Sequence, residues 1–201
     1  MNYLAIDTSG KNLTVVIKKG EKIFTEFDLE CGVNHSVELM PRVEELCKRA
    51  DFDLKDADFF ACVVGAGSFT GIRIGVATVK AMCFAFNKPS LSITSFDTLA
   101  YNVDGKVLAV IDAKHNGFYV CGYVDGKVVL EPQYVMREKL IEIAKDYTVA
   151  SSTVLDGIDS ALVSVEQGLI KAVERKQGEV STDTETLVPL YVRKSQAEEG
   201  R

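Results

Sequence analysis

Residues 3–17 read YLAIDTSGKNLTVVI: an apolar run ending in Asp7, a polar cluster from Thr8 to Asn12, and a second apolar run at 13–17. Two short β-prone runs around a Ser-Gly-Asn-rich turn are the pattern of paired strands. A Lys-Lys-Gly-Glu turn at 18–21 then leads into KIFTEFDL at 22–29, so the chain opens as a three-strand antiparallel meander with a hairpin at Gly20. The same order returns later. VLAVIDA at 107–113 carries Asp112 at the end of an apolar run, a turn spans Lys114 to Gly117, FYVCGYV follows at 118–124, and Asp125-Gly126 precedes KVVLE as a hairpin signal. Two halves that each begin strand–Asp–turn–strand–hairpin–strand predict an internal duplication in an α/β protein.

Between these openings the period changes. Leu39, Val43, Leu46, Cys47 and Ala50 form a helical stripe over 36–50, and Pro41 predicts that this helix starts near Met40 or kinks there. FFACVVG at 59–65 is a continuous apolar run, as in a buried strand. A Gly-rich turn, a helix at about 70–86, a short strand at 90–94 and a helical turn from Ser95 to Tyr101 complete β-β-β-α-β-α-β. In the second half, Ile158, Ala161, Leu162, Val165, Leu169, Ala172 and Val173 predict one amphipathic helix. Residues 174–186 read as polar loop, 187–192 as a return to apolar chain, and 194–201 as a loose tail.

The 201 residues hold 23 Lys and Arg against 29 Asp and Glu, a formal charge of -6, which argues against a basic surface made for nucleic acid. Five cysteines without CxxC spacing predict reduced core thiols rather than disulfides or a zinc knuckle. Asp7 interrupts the first apolar stretch, so no signal segment is expected. The apolar segment Ile72–Phe86 is short for a bilayer and carries Arg73 and Lys80. The expectation is a soluble, cytoplasmic protein without contact to a membrane.

Several constellations bear on chemistry. Asp7 with Ser9 could hold Mg²⁺ at a strand end while turn amides face phosphate, or could form only a side chain-to-backbone turn. Gly65-Ala66-Gly67-Ser68-Phe69-Thr70-Gly71 joins a strand to a helix, as an anion cradle does, but lacks both GxxxxGK[ST] and GxGxxG; Ser68 or Thr70 could simply cap the helix. Gly71, Gly75, Thr78, Met82 and Ala85 form a small-residue stripe over which a second helix could approach, either from a partner or from this chain. His35 fails a metal test, because the fourth residue on is Leu39 rather than a second histidine. His115 has no Ser or Cys partner at a diagnostic spacing. No catalytic residue and no metal site is expected.

VGAGSFTGIRIGVATVKAMCFA at 64–85 contains GxGSFTGxRxG. With MNYLAIDTSG, His35-Ser36-x-Glu38-Leu39-Met40-Pro41, AVIDAKHNGFYVCGY and Pro189-Leu190-Tyr191-Val192-Arg193, it resembles the TsaB (YeaZ) family over nearly the whole chain. Ala66 departs from the family's usual proline, and the second half is short. The resemblance implies two ribonuclease-H-like lobes of the actin/sugar-kinase/chaperone-ATPase architecture, 1–103 and a reduced 104–193. It implies a non-catalytic scaffold, without cofactor, in synthesis of threonylcarbamoyladenosine beside the tRNA anticodon. The implied partners are the catalytic paralogue TsaD, the ATPase TsaE in the wider complex, and a second copy through the same helices, with tRNA reached only indirectly. TsaD carries an HxxxH metal motif, of which His35 and Leu39 would be the remnant. Met40, Val43, Cys47, Gly71, Gly75, Thr78 and Met82 are then the expected partner interface; Asp7, Ser9 and Asp112 are the expected vestige of a nucleotide site. An active ATPase or small-molecule kinase of the same fold is the competing expectation.

Overall fold

A computed structural model describes residues 1–29, 31 and 34–193. The tail expected at 194–201 lies outside the described residues. Strand β1 (Tyr3–Asp7) pairs antiparallel with β2 (Leu13–Lys19), which pairs antiparallel with β3 (Lys22–Asp28). After helix α1 (His35–Ala50), β4 (Phe59–Val63) lies parallel to β1. Helix α2 (Phe69–Phe86) leads to β5 (Ser90–Ile93), parallel to β4, and then to helix α3 (Ser95–Ala100). The sheet order is β3-β2-β1-β4-β5.

The second half repeats this plan. Strands β6 (Lys106–Asp112), β7 (Gly117–Val124) and β8 (Lys127–Met136) form the meander. Helix α4 (Arg137–Ala144), β9 (Thr148–Ser151) and β10 (Ala161–Leu162) follow, and helix α5 (Val165–Lys176) closes the series. Read from β8, the sheet order is third, second, first, fourth, fifth, with β9 parallel to β6 and β10 parallel to β9. Both sheets therefore share one topology, and the duplication read from the two strand–Asp–turn openings is present in the fold. Asp125 and Gly126 have φ of 51° and 79°, the left-handed pair that a tight hairpin between β7 and β8 requires.

All five residues of β1 are buried because both faces of the first sheet are covered. Leu4, Ile6, Phe60 and Cys62 pack with Leu39, Val43 and Leu46 of α1 and with Ile72, Val76 and Val79 of α2. On the other face Tyr3, Ala5, Phe59 and Ala61 share a core with α3, α5 and Ala109, Cys121 and Tyr123 of the second sheet. A third cluster, including Leu108, Val110 and Leu140, packs α4 onto the far side of that sheet.

The structure corrects several boundaries. Helix α1 does not start near Met40; it begins at His35 and runs through Pro41. The carbonyl that loses its amide belongs to Val37, which is 67% exposed, so water can satisfy it. The helix expected from Ile158 begins only at Val165, where Ser164 accepts a hydrogen bond from the Gln167 amide; 161–162 is strand β10. Helix α2 starts at Phe69, capped by Ser68. Its full length and composition would suffice to cross a membrane, unlike the shorter run counted from Ile72, yet one face lies buried in the protein.

Candidate functional site

Asp7 ends β1 beneath the turn to β2 and is buried. Its Oδ1 accepts from the Ser9 amide at 2.8 Å and the Ser9 hydroxyl at 2.7 Å, the Asx-type closure of a polar turn. Burial pushes the Asp7 carboxyl above its ordinary range; the two Ser9 hydrogen bonds and the field of His35 offset part of that shift. His35 is buried at the start of α1, with Nε2 3.2 Å from the Asn12 carbonyl oxygen, so the ring joins α1 to the same turn. Leu39, one turn on, is a core residue. Ser95 Oγ, at the start of α3, donates to Ser9 Oγ at 3.0 Å.

The Gly-rich segment approaches this turn backbone to backbone. The Ser68 amide donates to the Ser9 carbonyl at 2.7 Å, and Thr8 Oγ1 donates to the Gly71 carbonyl at 2.7 Å. A Cβ on Gly67 would overlap the Ser9 carbonyl, one on Gly71 would overlap the Thr8 carbonyl, and one on Gly75 would lie 2.6 Å from Thr8 Oγ1. The small-residue stripe does mark a close approach, but the partner at Gly71 and Gly75 is this chain's own β1–β2 turn. The peptide bond between Gly65 and Ala66 is cis.

Of the residues expected at a partner interface, Gly71, Gly75, Met82 and Val43 are thus buried inside the chain, Cys47 and Thr78 are half-buried, and Met40 is exposed. The face that α2 turns outward is one step round the helix: Arg73, Ala77, Ala81, Phe84 and Ala85. Phe84 is 91% exposed. Sequence reading found the stripe but not its neighbour, because small residues record proximity without naming what comes close. Thr8, buried and bonded to α2, was missed altogether; its only signal was a hydroxyl beside the strand-end acid.

Asp112 occupies in the second lobe the place Asp7 holds in the first. Its Oδ1 accepts from the Lys114 amide at 2.7 Å, repeating the Asp7–Ser9 turn, but the role of the Ser9 hydroxyl falls to the Lys114 ammonium, 2.7 Å from Oδ2. Burial acts to raise the Asp112 pKa, yet the Lys114 hydrogen bonds and charge outweigh it, with Lys11 adding to them, and hold the carboxyl below its ordinary range. In Lys114→Ala the Asp112 carboxyl is expected to titrate at higher pH in a carboxyl NMR titration. Global stability should move by less than about 0.5 kcal/mol, because the pair is largely exposed.

Two lobes of one sheet order, each with a strand-end aspartate whose Oδ1 accepts from the amide two residues on, define a duplicated ribonuclease-H-like α/β protein. Residues 30–167 match the family described as TsaD, tRNA N6-adenosine threonylcarbamoyltransferase. The chain is 31% identical over 153 residues to the tRNA threonylcarbamoyladenosine biosynthesis protein TsaB of Bacillus subtilis, covering 73% of this chain and 67% of that one. It is 25% identical over 167 residues to TsaB of Escherichia coli, covering 76% and 71%. YeaZ from Pseudomonas aeruginosa shares the fold, with a TM-score of 0.76 at 24% identity over 94% of this chain and 99% of that one. The chain belongs to the TsaB (YeaZ) family of tRNA threonylcarbamoyladenosine biosynthesis proteins.

Proposed function

We propose that this protein is a non-catalytic scaffold that binds and activates a TsaD-type catalytic subunit in threonylcarbamoyladenosine synthesis on tRNA. The observation that carries the reading is the outward face of α2, where Ala77, Ala81, Ala85 and the exposed Phe84 leave an apolar strip bordered by Arg73. Met40 and Val37 add exposed apolar surface on α1. A partner helix can lie closely over alanines, with Phe84 as its aromatic anchor. The first lobe, 1–103, carries that face, and 104–193 forms the reduced second lobe. A second copy could use the same surface when TsaD is absent.

The donor groups support a scaffold rather than an enzyme. Asp112 is held by Lys114, and Leu39 stands where a second imidazole ligand would be needed. Among the described residues no group of three or more His, Cys, Asp or Glu is arranged to hold a metal ion. With the Lys114 ammonium already on its carboxylate, Asp112 is a poor ligand for a divalent cation. With a net charge of -6, contact with tRNA falls to the partners, TsaD and the wider complex with TsaE, in the cytoplasm.

Ala77→Glu and Phe84→Asp test the surface. Both sites face solvent, so each variant should keep its thermal midpoint while losing at least about 100-fold in affinity for TsaD by titration calorimetry. Stimulation of TsaD in a tRNA-modification assay should fall with it. Undiminished binding in both variants refutes the interface. The competing kinase or ATPase reading draws on Asp7 and Ser9; tight Mg²⁺–ATP binding by the isolated chain, abolished in Asp7→Ala, would replace the scaffold reading.

A further inference from the structure

Helix α5 follows the last strand of the second sheet in the chain, yet packs against the first sheet and α3. Leu169, Ala172 and Val173 share one core with Tyr3 and Ala5 of the first sheet and with Ala109 and Cys121 of the second. At its start, Gly168 meets α3 so closely that an added Cβ would overlap the Thr98 carbonyl. Asn102 Nδ2 bridges the two helices, donating to the Thr98 carbonyl at 2.8 Å and the Ser164 carbonyl at 3.0 Å.

At the other end of α5 three distant segments converge on one carboxylate. Asp97 of α3 is 3% exposed. Its Oδ2 accepts from the Thr94 amide at 2.8 Å and from Lys176 Nζ at 3.4 Å; its Oδ1 accepts from the Tyr123 hydroxyl of β7 at 2.9 Å. Lys176 is also paired with Glu179 at 3.3 Å. Burial works against the Lys176 ammonium, but Asp97 and Glu179 outweigh it and keep its pKa above the ordinary lysine value. Outside this cluster, Lys18 of β2 pairs with Glu174 at 2.8 Å, and the Arg175 guanidinium sits 4.8 Å from the centre of the Tyr101 ring.

We propose that Asp97, Tyr123 and Lys176 form an inter-lobe latch that joins the two sheets into one cooperative unit and fixes their relative orientation. A buried charge with partners from other segments gives little net stability, but it penalises every arrangement in which one partner moves away. Opening the lobes would strand Asp97 away from Tyr123, and lifting α5 would strand it away from Lys176. The chain therefore presents its outer helices on a rigid body.

The buried thiols Cys62 of β4 and Cys121 of β7 report on the two sheets. In a urea series with pulsed maleimide labelling and peptide mass analysis, both thiols of the wild-type chain should become reactive at one midpoint. Lys176→Met keeps the aliphatic stem and removes the charge; in it the two midpoints should separate by about 0.5 M urea or more. Separate midpoints in the wild type, or coincident ones in Lys176→Met, overturn the latch. Should that variant fail to fold, Tyr123→Phe keeps the ring and removes the hydroxyl that donates to Asp97. Its two midpoints should separate in the same urea series, and coincident ones overturn the latch.

Discussion

Gly71→Ala should destabilise the protein by about 3 kcal/mol, the upper part of the usual overpacking range. For a chain of this size that lowers the thermal midpoint by about 6–12 °C. Helix propensity alone predicts the opposite sign, since alanine in the interior of a helix is favoured over glycine by roughly 1 kcal/mol. Geometry decides between them. The new methyl group meets the Thr8 carbonyl oxygen, a backbone atom one residue beyond β1, which is itself paired on both sides, so it cannot give without disturbing the end of the first sheet. Gly75→Ala should cost less, because its nearest obstacle at 2.6 Å is the Thr8 hydroxyl, which can rotate at the expense of its bond to the Gly71 carbonyl. Ala77→Gly, on the exposed face of the same helix, should lose only the propensity term of about 0.5–1 kcal/mol. Differential scanning calorimetry on the three variants gives the order. A Gly71→Ala protein as stable as the wild type would mean that α2 does not lie on the β1–β2 turn.

The same glycines show how far the sequence could be read. The strand–Asp–turn openings, the hairpins at Gly20 and Asp125-Gly126 and the buried run at 59–65 depend on local chemistry and short periods, so both meanders were legible. The stripe on α2 was legible as a stripe, but its neighbour is set by a turn some sixty residues earlier in the chain. Ile158, Ala161 and Leu162 fall in register with the α5 pattern by coincidence of spacing; Gly157, with φ of 63°, and the Ser164 cap show that the chain turns before the helix begins. Helix α4 was missed because only Leu140 of its residues is buried, too little for a stripe. At the candidate site, Asp7, Ser9 and Asp112 were visible as residue types. That Lys114 closes over Asp112 depends on three successive left-handed residues, Lys114, His115 and Asn116, which no composition signal announces.

Asp7→Asn should raise the thermal midpoint at pH 8 by several degrees, corresponding to about 1–2 kcal/mol. Asparagine has nearly the same shape, and its Oδ1 can still accept from the Ser9 amide and hydroxyl, so the turn should survive while the buried charge is removed. Burial, the largest influence on this carboxyl, raises its folded-state pKa above the unfolded value, with Ser9 and His35 offsetting only part. A group raised in this way stabilises the fold most below its unfolded pKa and loses that contribution as pH climbs through the folded pKa. The advantage of the Asp7→Asn variant over the wild type should therefore be full at pH 8, shrink as pH falls through the raised pKa, and vanish below about 3.8, the ordinary value. Paired thermal unfolding of the two proteins from pH 4 to pH 8 traces that convergence. If Asp7→Asn is instead the less stable protein at pH 8, the carboxylate has a favourable charge partner strong enough to outweigh its burial, and His35 is the group whose substitution should then reproduce the loss. If the expected stabilisation is found, Asp7 is held in this fold at the expense of stability.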